Sequence, residues 1–154
     1  MGFLLDTNIL LELVRHPHGQ IADCIARVGE QHVCTSIIVV AELRYVVAEL
    51  RYGAAKKASS RLIAQLEAVL GAVEVLPLES PVDTIYGEAR ARLERAGHLI
   101  SANDLLIGAQ ALALGHTLVT DDEREFSRIT DLRIENWLRR RFIALPAVRP
   151  NGPR

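Results

Sequence analysis

The sequence has 154 residues, enough for one domain with a hydrophobic core and too few for two of ordinary size. Apolar residues make up 49% of it, which excludes general disorder, and no apolar run reaches the ~18 residues that suggest a membrane span. The net charge of −1 does not indicate a nucleic-acid partner by itself. No basic residue precedes Leu4, as a secretory signal would require, so we expect a protein of the cytoplasm.

Short apolar segments with the composition of β-strands recur along the chain. Four are clear and a fifth is weaker: 3–5, 32–36, 73–76, 117–120 and 132–135. Segments with helical spacing of apolar residues lie among them, at 9–15, 21–28, 58–70, 80–97 and 102–114. Such alternation is typical of parallel strands joined by crossover helices. The sequence therefore predicts an α/β fold with no internal linker and with Trp137 in its core.

Two of these helices have marked beginnings. Ser101 is a preferred N-cap residue for helix 102–114, which Gly115 ends. Ser80 and Pro81 open the helix that runs to Gly97, because proline is tolerated in a first helical turn. The first of these signals places Asp104 in the first turn of an otherwise apolar helix.

One segment is repeated without change. Residues 39–45 read VVAELRY, and residues 46–52 read VVAELRY again, which indicates a tandem duplication. Seven helical residues turn ~700°, close to two full turns, and add ~10.5 Å of rise. A single helix can therefore absorb the insert while keeping its apolar face. The β-branched start of the segment, 37–40, leaves open that residues 39–45 extend the preceding strand instead.

Acidic residues follow or adjoin several of the apolar segments. In an open α/β sheet, ligands bind outside the carboxyl ends of the strands. Carboxylates gathered there without basic partners repel one another unless a divalent cation lies between them, so the pattern predicts a Mg²⁺ site. The acids concerned are Asp6, Glu42, Asp104 and the pair Asp121 and Asp122.

Neighbouring neutral residues bear on this interpretation. Thr7 and Asn8 can orient Asp6, and Thr120 can orient the acids that follow it. The simpler alternative for Asp6 is a helix N-cap. For Asp104 it is an acid that interacts favourably with a helix N-terminus.

Other features are read as structural. Cys24 and Cys34 fit no zinc spacing, so we expect buried thiols. Aromatic residues are only 5% of the chain, which argues against a base-stacking platform for single strands. Residues 139–154 carry five arginines and no acid, and we expect a solvated, flexible tail after a domain of residues 1–138.

The order and setting of these residues resemble the PIN-domain ribonucleases, and within them the VapC-type toxins of bacterial toxin–antitoxin pairs. The resemblance covers residues 3–137. It is carried by LLDTNIL at 4–10, TSIIVVAEL at 35–43, ELRYGA at 49–54, NDLLIGAQALALGHTLVT at 103–120, DDEREFSRI at 121–129 and ENW at 135–137.

This resemblance implies a three-layer α/β/α fold with a central, mostly parallel sheet between helices. It implies a Mg²⁺ or Mn²⁺ site and endonucleolytic cleavage of RNA, with a leaning towards transfer RNA. It also implies a homodimer that a cognate VapB-type antitoxin neutralises. Carried over by position, the site residues are Asp6, Asp104, either Glu42 or its copy Glu49, and Asp122 or its neighbour Asp121, with Asp6 and Asp104 expected to bind the metal.

We therefore predict a Mg²⁺-dependent endoribonuclease toxin that acts through Asp6, Glu42, Asp104 and Asp122. Phospho-receiver and haloacid-dehalogenase-type domains also place acids at strand ends, but they need a lysine near the late strands. The only lysines here are Lys56 and Lys57. The alternative left open is a PIN-like binding module that acts through its partner and has lost catalysis through the duplication.

Overall fold

The computed structural model describes residues 1–52 and 56–139, with the backbone alone for 56–59. Its centre is a five-stranded sheet in which every neighbouring pair is parallel. The strands are β1 (Phe3–Leu5), β2 (Val33–Ser36), β3 (Glu74–Leu76), β4 (Thr117–Val119) and β5 (Ile134–Glu135), in the order β3-β2-β1-β4-β5. The predicted strands are confirmed to within two residues at each end, and the expected α/β class with a parallel sheet is confirmed.

Seven α-helices lie in the described part of the chain. They are α1 (Thr7–Arg15), α2 (Gln20–Val28), α3 (Ile37–Tyr52), α4 (Lys56–Ala72), α5 (Val82–Ala96), α6 (Ala102–Leu114) and α7 (Glu123–Phe126). Two details differ from the prediction. Pro81 precedes α5 instead of lying in its first turn, and the short α7 was not predicted. The predicted Ser101 cap is present, since the Ser101 hydroxyl accepts the Asp104 N–H at 3.2 Å.

The duplicated segment forms one helix. Residues 39–52 all belong to α3, which begins directly after β2, so the alternative of an extended strand is wrong. Val39, Val40 and Leu43 of the first copy are buried, whereas their counterparts in the second copy are half-buried. The second copy is therefore less buried than the first, although its Val47 and Leu50 still pack against the core.

The order of the strands reverses direction at β1. The chain passes from β1 outward to β2 and β3, and then crosses back to β4 and β5 on the other side of β1. Because parallel crossovers are right-handed, α1–α4 cover one face of the sheet and α5–α7 cover the other. Contacts within each group of helices agree with this, and the three-layer architecture is thereby confirmed. The reversal creates a crevice at the carboxyl ends of β1 and β4, where ligands bind in such sheets.

The core closes around the late part of the chain. Trp137 is 1% exposed, as predicted, and its ring lies 5.3 Å from that of Phe3. Cys24 and Cys34 are buried and form no disulfide, also as predicted. Arg139, the first residue of the predicted tail, is paired with Glu123 at 3.3 Å. The rest of that tail, 140–154, lies outside the described residues, and within them no helix is long and apolar enough to cross a membrane.

Candidate metal centre

Asp6 and Thr120 lie side by side at the switch point of the sheet. Leu5 pairs with Val119, so the next residue on each strand emerges at the same edge. The Thr120 hydroxyl donates a 2.7 Å hydrogen bond to Oδ2 of Asp6, and both side chains are buried. The other oxygen of Asp6, Oδ1, is buried and has no hydrogen-bond partner in the described part of the chain.

This arrangement decides between the two interpretations of Asp6. It occupies the residue before α1, but its side chain makes no capping hydrogen bond there. Burial raises its pKa, the hydrogen bonds from Thr120 and the Thr7 amide oppose that rise, and the charges of Glu42 and Asp122 add to it. The Asp6 carboxyl is therefore directed into an acidic environment and does not serve as a helix cap.

Glu42 reaches the same crevice from α3. The Thr7 hydroxyl donates to Oε2 of Glu42 at 2.8 Å, which links the first turn of α1 to the side of α3. Oε1 of Glu42 is buried and, among the described residues, has no hydrogen-bond partner. Glu49, the equivalent residue of the second copy, is exposed and does not line the crevice.

Asp104 is held by the first turn of α6. Burial raises its pKa to about 7, with further contributions from the Asp6 charge, a hydrogen bond with Glu125 and the Glu42 charge, against a lowering by Ser101. A plain helix-terminus acid would be stabilised in its ionised form. The opposite shift of Asp104 has burial as its largest cause, followed by the Asp6 charge, and both effects oppose the stabilisation by the helix N-terminus.

The two acids that follow β4, Asp121 and Asp122, make different contacts. Asp122 donates its backbone N–H to the Thr120 hydroxyl at 3.0 Å, and its carboxylate accepts the Glu125 N–H at 3.4 Å. Asp121 instead accepts a 3.0 Å hydrogen bond from the Asn136 amide and is exposed. The geometry thus places Asp122, and not Asp121, next to Asp104.

Glu125 is an acid of this cluster that the sequence did not single out. Carboxylate oxygens of Asp104, Asp122 and Glu125 all lie within 4.8 Å of one another. The available signal was its position three residues after Asp122, on the same side of a helical turn. Without knowledge that 123–126 is helical, the segment DDEREF looks like ordinary charged surface.

A cavity of about 780 Å³ adjoins this crevice and is lined by two of the acids, Glu42 and Asp104. One wall is α3, which contributes Glu42, and the other is the start of α6, which contributes Asp104. None of its described lining residues is lysine or arginine: Thr7, Ile38, Ala41, Glu42, Tyr45, Val46, Ser101, Ala102, Asn103 and Asp104.

The donor set fits a hard divalent cation. It consists of carboxylate oxygens, the ligands that Mg²⁺ and Mn²⁺ prefer. Two of these oxygens, on Asp6 and Glu42, are buried without a hydrogen-bond donor, which is costly unless a cation satisfies them. The pKa of Asp6 and that of Asp104 are raised first by burial and then by the charges of nearby carboxylates, and a bound cation would oppose both effects.

Comparison with known proteins agrees with this fold. The model of the PIN domain family matches residues 3–132. Ribonuclease VapC2 of Rickettsia felis is 35% identical over 138 residues, which are 89% of this chain and 98% of that protein. The tRNA(fMet)-specific endonuclease VapC of Salmonella typhimurium is 32% identical, with the same 89% and 98% of the two chains covered.

Solved structures give the same answer. A chain of the VapBC2 crystal structure from Rickettsia felis, bound to a DNA fragment from its promoter, superposes with a TM-score of 0.78 at 31% identity, covering 89% of this chain and 99% of that one. The chain belongs to the PIN-domain family, among its VapC-type members. The resemblance inferred from the sequence is confirmed, and with it the PIN-like form of the three-layer fold and the class of enzyme, a nuclease.

Proposed function

We propose that the protein is a Mg²⁺- or Mn²⁺-dependent endoribonuclease, the toxin of a toxin–antitoxin pair. The observation that carries the proposal is the pair of buried, unpartnered carboxylate oxygens on Asp6 and Glu42, next to the cluster of Asp104, Asp122 and Glu125. Membership of the nuclease family supplies the reaction class. The cluster supplies the site.

In this proposal the chain's own residues hold and orient the metal. Asp6 and Asp104 are its direct ligands, while Glu42 and Asp122 complete the acid set. Thr120 and Thr7 orient the carboxylates of Asp6 and Glu42 through hydrogen bonds of 2.7 and 2.8 Å to one oxygen of each. When bound, the cation lowers the pKa of a water ligand and stabilises charge on the phosphodiester. Hydrolysis of the phosphodiester would add the oxygen of water to phosphorus and break one P–O ester bond, with one proton of that water passing to the departing oxygen and the other released to solvent.

The duplication does not argue for a catalytically impaired module. The first copy keeps Glu42 beside Thr7 and in the cavity, while the second copy continues α3 and, among its described residues, contributes only Val46 to the cavity lining. The additional turns therefore change the far end of the α3–α4 hairpin and leave the acid crevice in place. An active enzyme accounts for the geometry better than a binding module does.

We propose that the substrate is transfer RNA and that the protein acts on it in the cytoplasm. Support comes from relatives of Salmonella typhimurium and Shigella flexneri whose names specify tRNA(fMet), at 32% and 29% identity. The test is to incubate the purified protein with bulk transfer RNA in Mg²⁺, in Mn²⁺ and in excess chelator, and to map new RNA ends. Cleavage at defined positions in either metal and not in chelator is expected. Full activity in chelator would contradict the metal-nuclease proposal.

The partner we propose is a VapB-type antitoxin, bound to a homodimer of this chain. The solved relatives from Rickettsia felis and Salmonella typhimurium are VapBC complexes. An arginine or lysine of the antitoxin that enters the acid cluster would displace the cation electrostatically. We expect toxicity on expression alone and rescue by co-expression with the antitoxin. A protein that is harmless alone and monomeric at high micromolar concentration would contradict this partner assignment.

A further inference from the structure

One wall of the acid cavity carries an exposed aromatic ring. Tyr45 lines the cavity together with Glu42 and Asp104, and it keeps 66% of its surface accessible. It lies three residues after Glu42 on α3, so the two side chains share a face of the helix. Large aromatic side chains lose free energy when they stay in water. A solvent-exposed ring on the wall of the proposed active site therefore indicates a ligand that covers it.

The charge of the cavity limits how a nucleic acid could be held there. Its described lining residues include acids and no lysine or arginine. No lysine or arginine side chain on these described walls can therefore contact the phosphate groups of RNA. A metal ion bound to the acids would be the cation available to them. Binding must draw on the bases as well, and base–aromatic stacking is independent of the phosphate charge.

The other residues of the cavity walls suit a planar group that has apolar faces and polar atoms along its edge. Ile38, Ala41 and Val46 of α3 line the same cavity and make this wall largely apolar. The other wall, at the start of α6, presents Asn103, whose amide offers both a donor and an acceptor. A nucleobase has this combination of an apolar face and polar edges.

We propose that Tyr45 stacks against an unpaired base of the RNA next to the scissile phosphate, while Asn103 faces the edge of that base. The inference rests on the proposed ribonuclease function and names how its substrate is positioned. A single ring positions one base, which is compatible with the low aromatic content that argues against an extended stacking platform.

The duplication provides a matched control within the same helix. Tyr52 ends the second copy and has the same six preceding residues as Tyr45. It is 89% exposed, but it borders a separate depression of about 310 Å³ between α3 and α4, together with Arg44 and Glu67. Substitution of Tyr52 therefore removes the same ring from the same sequence context without touching the acid cavity.

The experiment measures kcat and KM on a synthetic RNA hairpin that spans the mapped cut, in Mn²⁺. Tyr45→Ala is expected to lower kcat/KM about 5- to 150-fold, the range that one base–aromatic stack represents, whereas Tyr45→Phe and Tyr52→Ala stay within about twofold of the wild type. Replacing the stacked base by an abasic nucleotide should lower wild-type activity by a similar factor. Combining that RNA with Tyr45→Ala should add little, because both changes remove the same contact.

Several results would overturn the stacking. One is equal activity of Tyr45→Ala and Tyr52→Ala, and another is that the losses caused by the abasic RNA and by Tyr45→Ala multiply when the two are combined. A third is that Tyr45→Ala dissociates a dimer in sedimentation velocity, which would make the ring an interface contact. In each of these cases an active wild type leaves the proposed nuclease intact. No cleavage by the wild type in either metal would overturn both proposals.

Discussion

Thr120 and Asp6 are joined by a 2.7 Å hydrogen bond in which the threonine hydroxyl donates to Oδ2 of the aspartate. The same hydroxyl accepts the Asp122 N–H at 3.0 Å. One buried side chain thus positions an acid from β1 and another from the segment after β4. It leaves Oδ1 of Asp6 as the oxygen that a cation can use.

Removing that hydroxyl should weaken metal binding while keeping every carboxylate. In Thr120→Val, Oδ2 of Asp6 and the Asp122 N–H both lose a partner, so we expect destabilisation of about 1–3 kcal/mol and a 10- to 100-fold loss of metal affinity. Thr120→Ser keeps the hydroxyl and should bind Mn²⁺ nearly as the wild type does. Isothermal titration with Mn²⁺ and thermal unfolding measure the two effects, and equal affinities of the Val and Ser variants would contradict the positioning role.

Neutralising a proposed metal ligand should abolish cleavage without harming the fold. Asp6→Asn and Asp104→Asn each remove an ionisable carboxyl from an acidic cluster in which burial, and then repulsion between carboxylates, raises the pKa of both groups. We expect RNA cleavage to fall to background. In chelator, the melting temperature should be equal to or higher than that of the wild type, because repulsion between carboxylates is relieved. Undiminished cleavage by either variant would refute the assignment of ligands.

The pKa of Asp104, raised from 3.8 to about 7, has a consequence for stability in the absence of metal. Between those two values the folded protein binds more protons at Asp104 than the unfolded chain does. The free energy of unfolding should therefore fall as pH rises from about 4 through 7, after which this contribution is lost. The affinity for metal should change in the opposite direction, because the cation binds the ionised carboxyl.

The measurement compares wild type with Asp104→Asn by thermal unfolding in excess chelator across that interval. Distant carboxylates titrate alike in both proteins, so the difference between the two curves reports Asp104 together with its effect on the acids beside it. The wild type should lose stability relative to the variant as pH rises towards 7. Parallel curves would show that Asp104 has an ordinary pKa.

Much of this site could be predicted because strand ends are visible in the sequence. The short apolar runs before Asp6 and Asp121 fixed where β1 and β4 end, and parallel pairing brings such ends together. Thr120 was expected to orient the acids after it; its hydroxyl accepts the backbone N–H of Asp122, and its bond to the Asp6 carboxylate was not predicted. These are relations set by backbone periodicity, which the sequence displays directly.

The remainder depends on tertiary contacts that leave no periodic signal. Glu125 joins the cluster only because α7, a helix of four residues, brings it to the start of α6. Asp121 turns away because Asn136, fifteen residues later, offers it a hydrogen bond. Neither the short helix nor that partner can be read from local composition.

The two copies of VVAELRY allow a direct comparison of Glu42 with Glu49. Both lie on α3, about 10.5 Å apart along the axis, so one ion that binds oxygen at ~2.1 Å cannot use both. Glu42 accepts the Thr7 hydroxyl and has a buried, unpartnered Oε1, whereas Glu49 is exposed. We therefore expect Glu42→Gln to lower Mn²⁺ affinity and reduce the cleavage rate by at least about 100-fold. Glu49→Gln makes the same chemical change in the same seven-residue context and should leave Mn²⁺ affinity and cleavage rate within about twofold of wild type. Loss of activity in the Glu49 variant alone would show that the second copy supplies the catalytic glutamate.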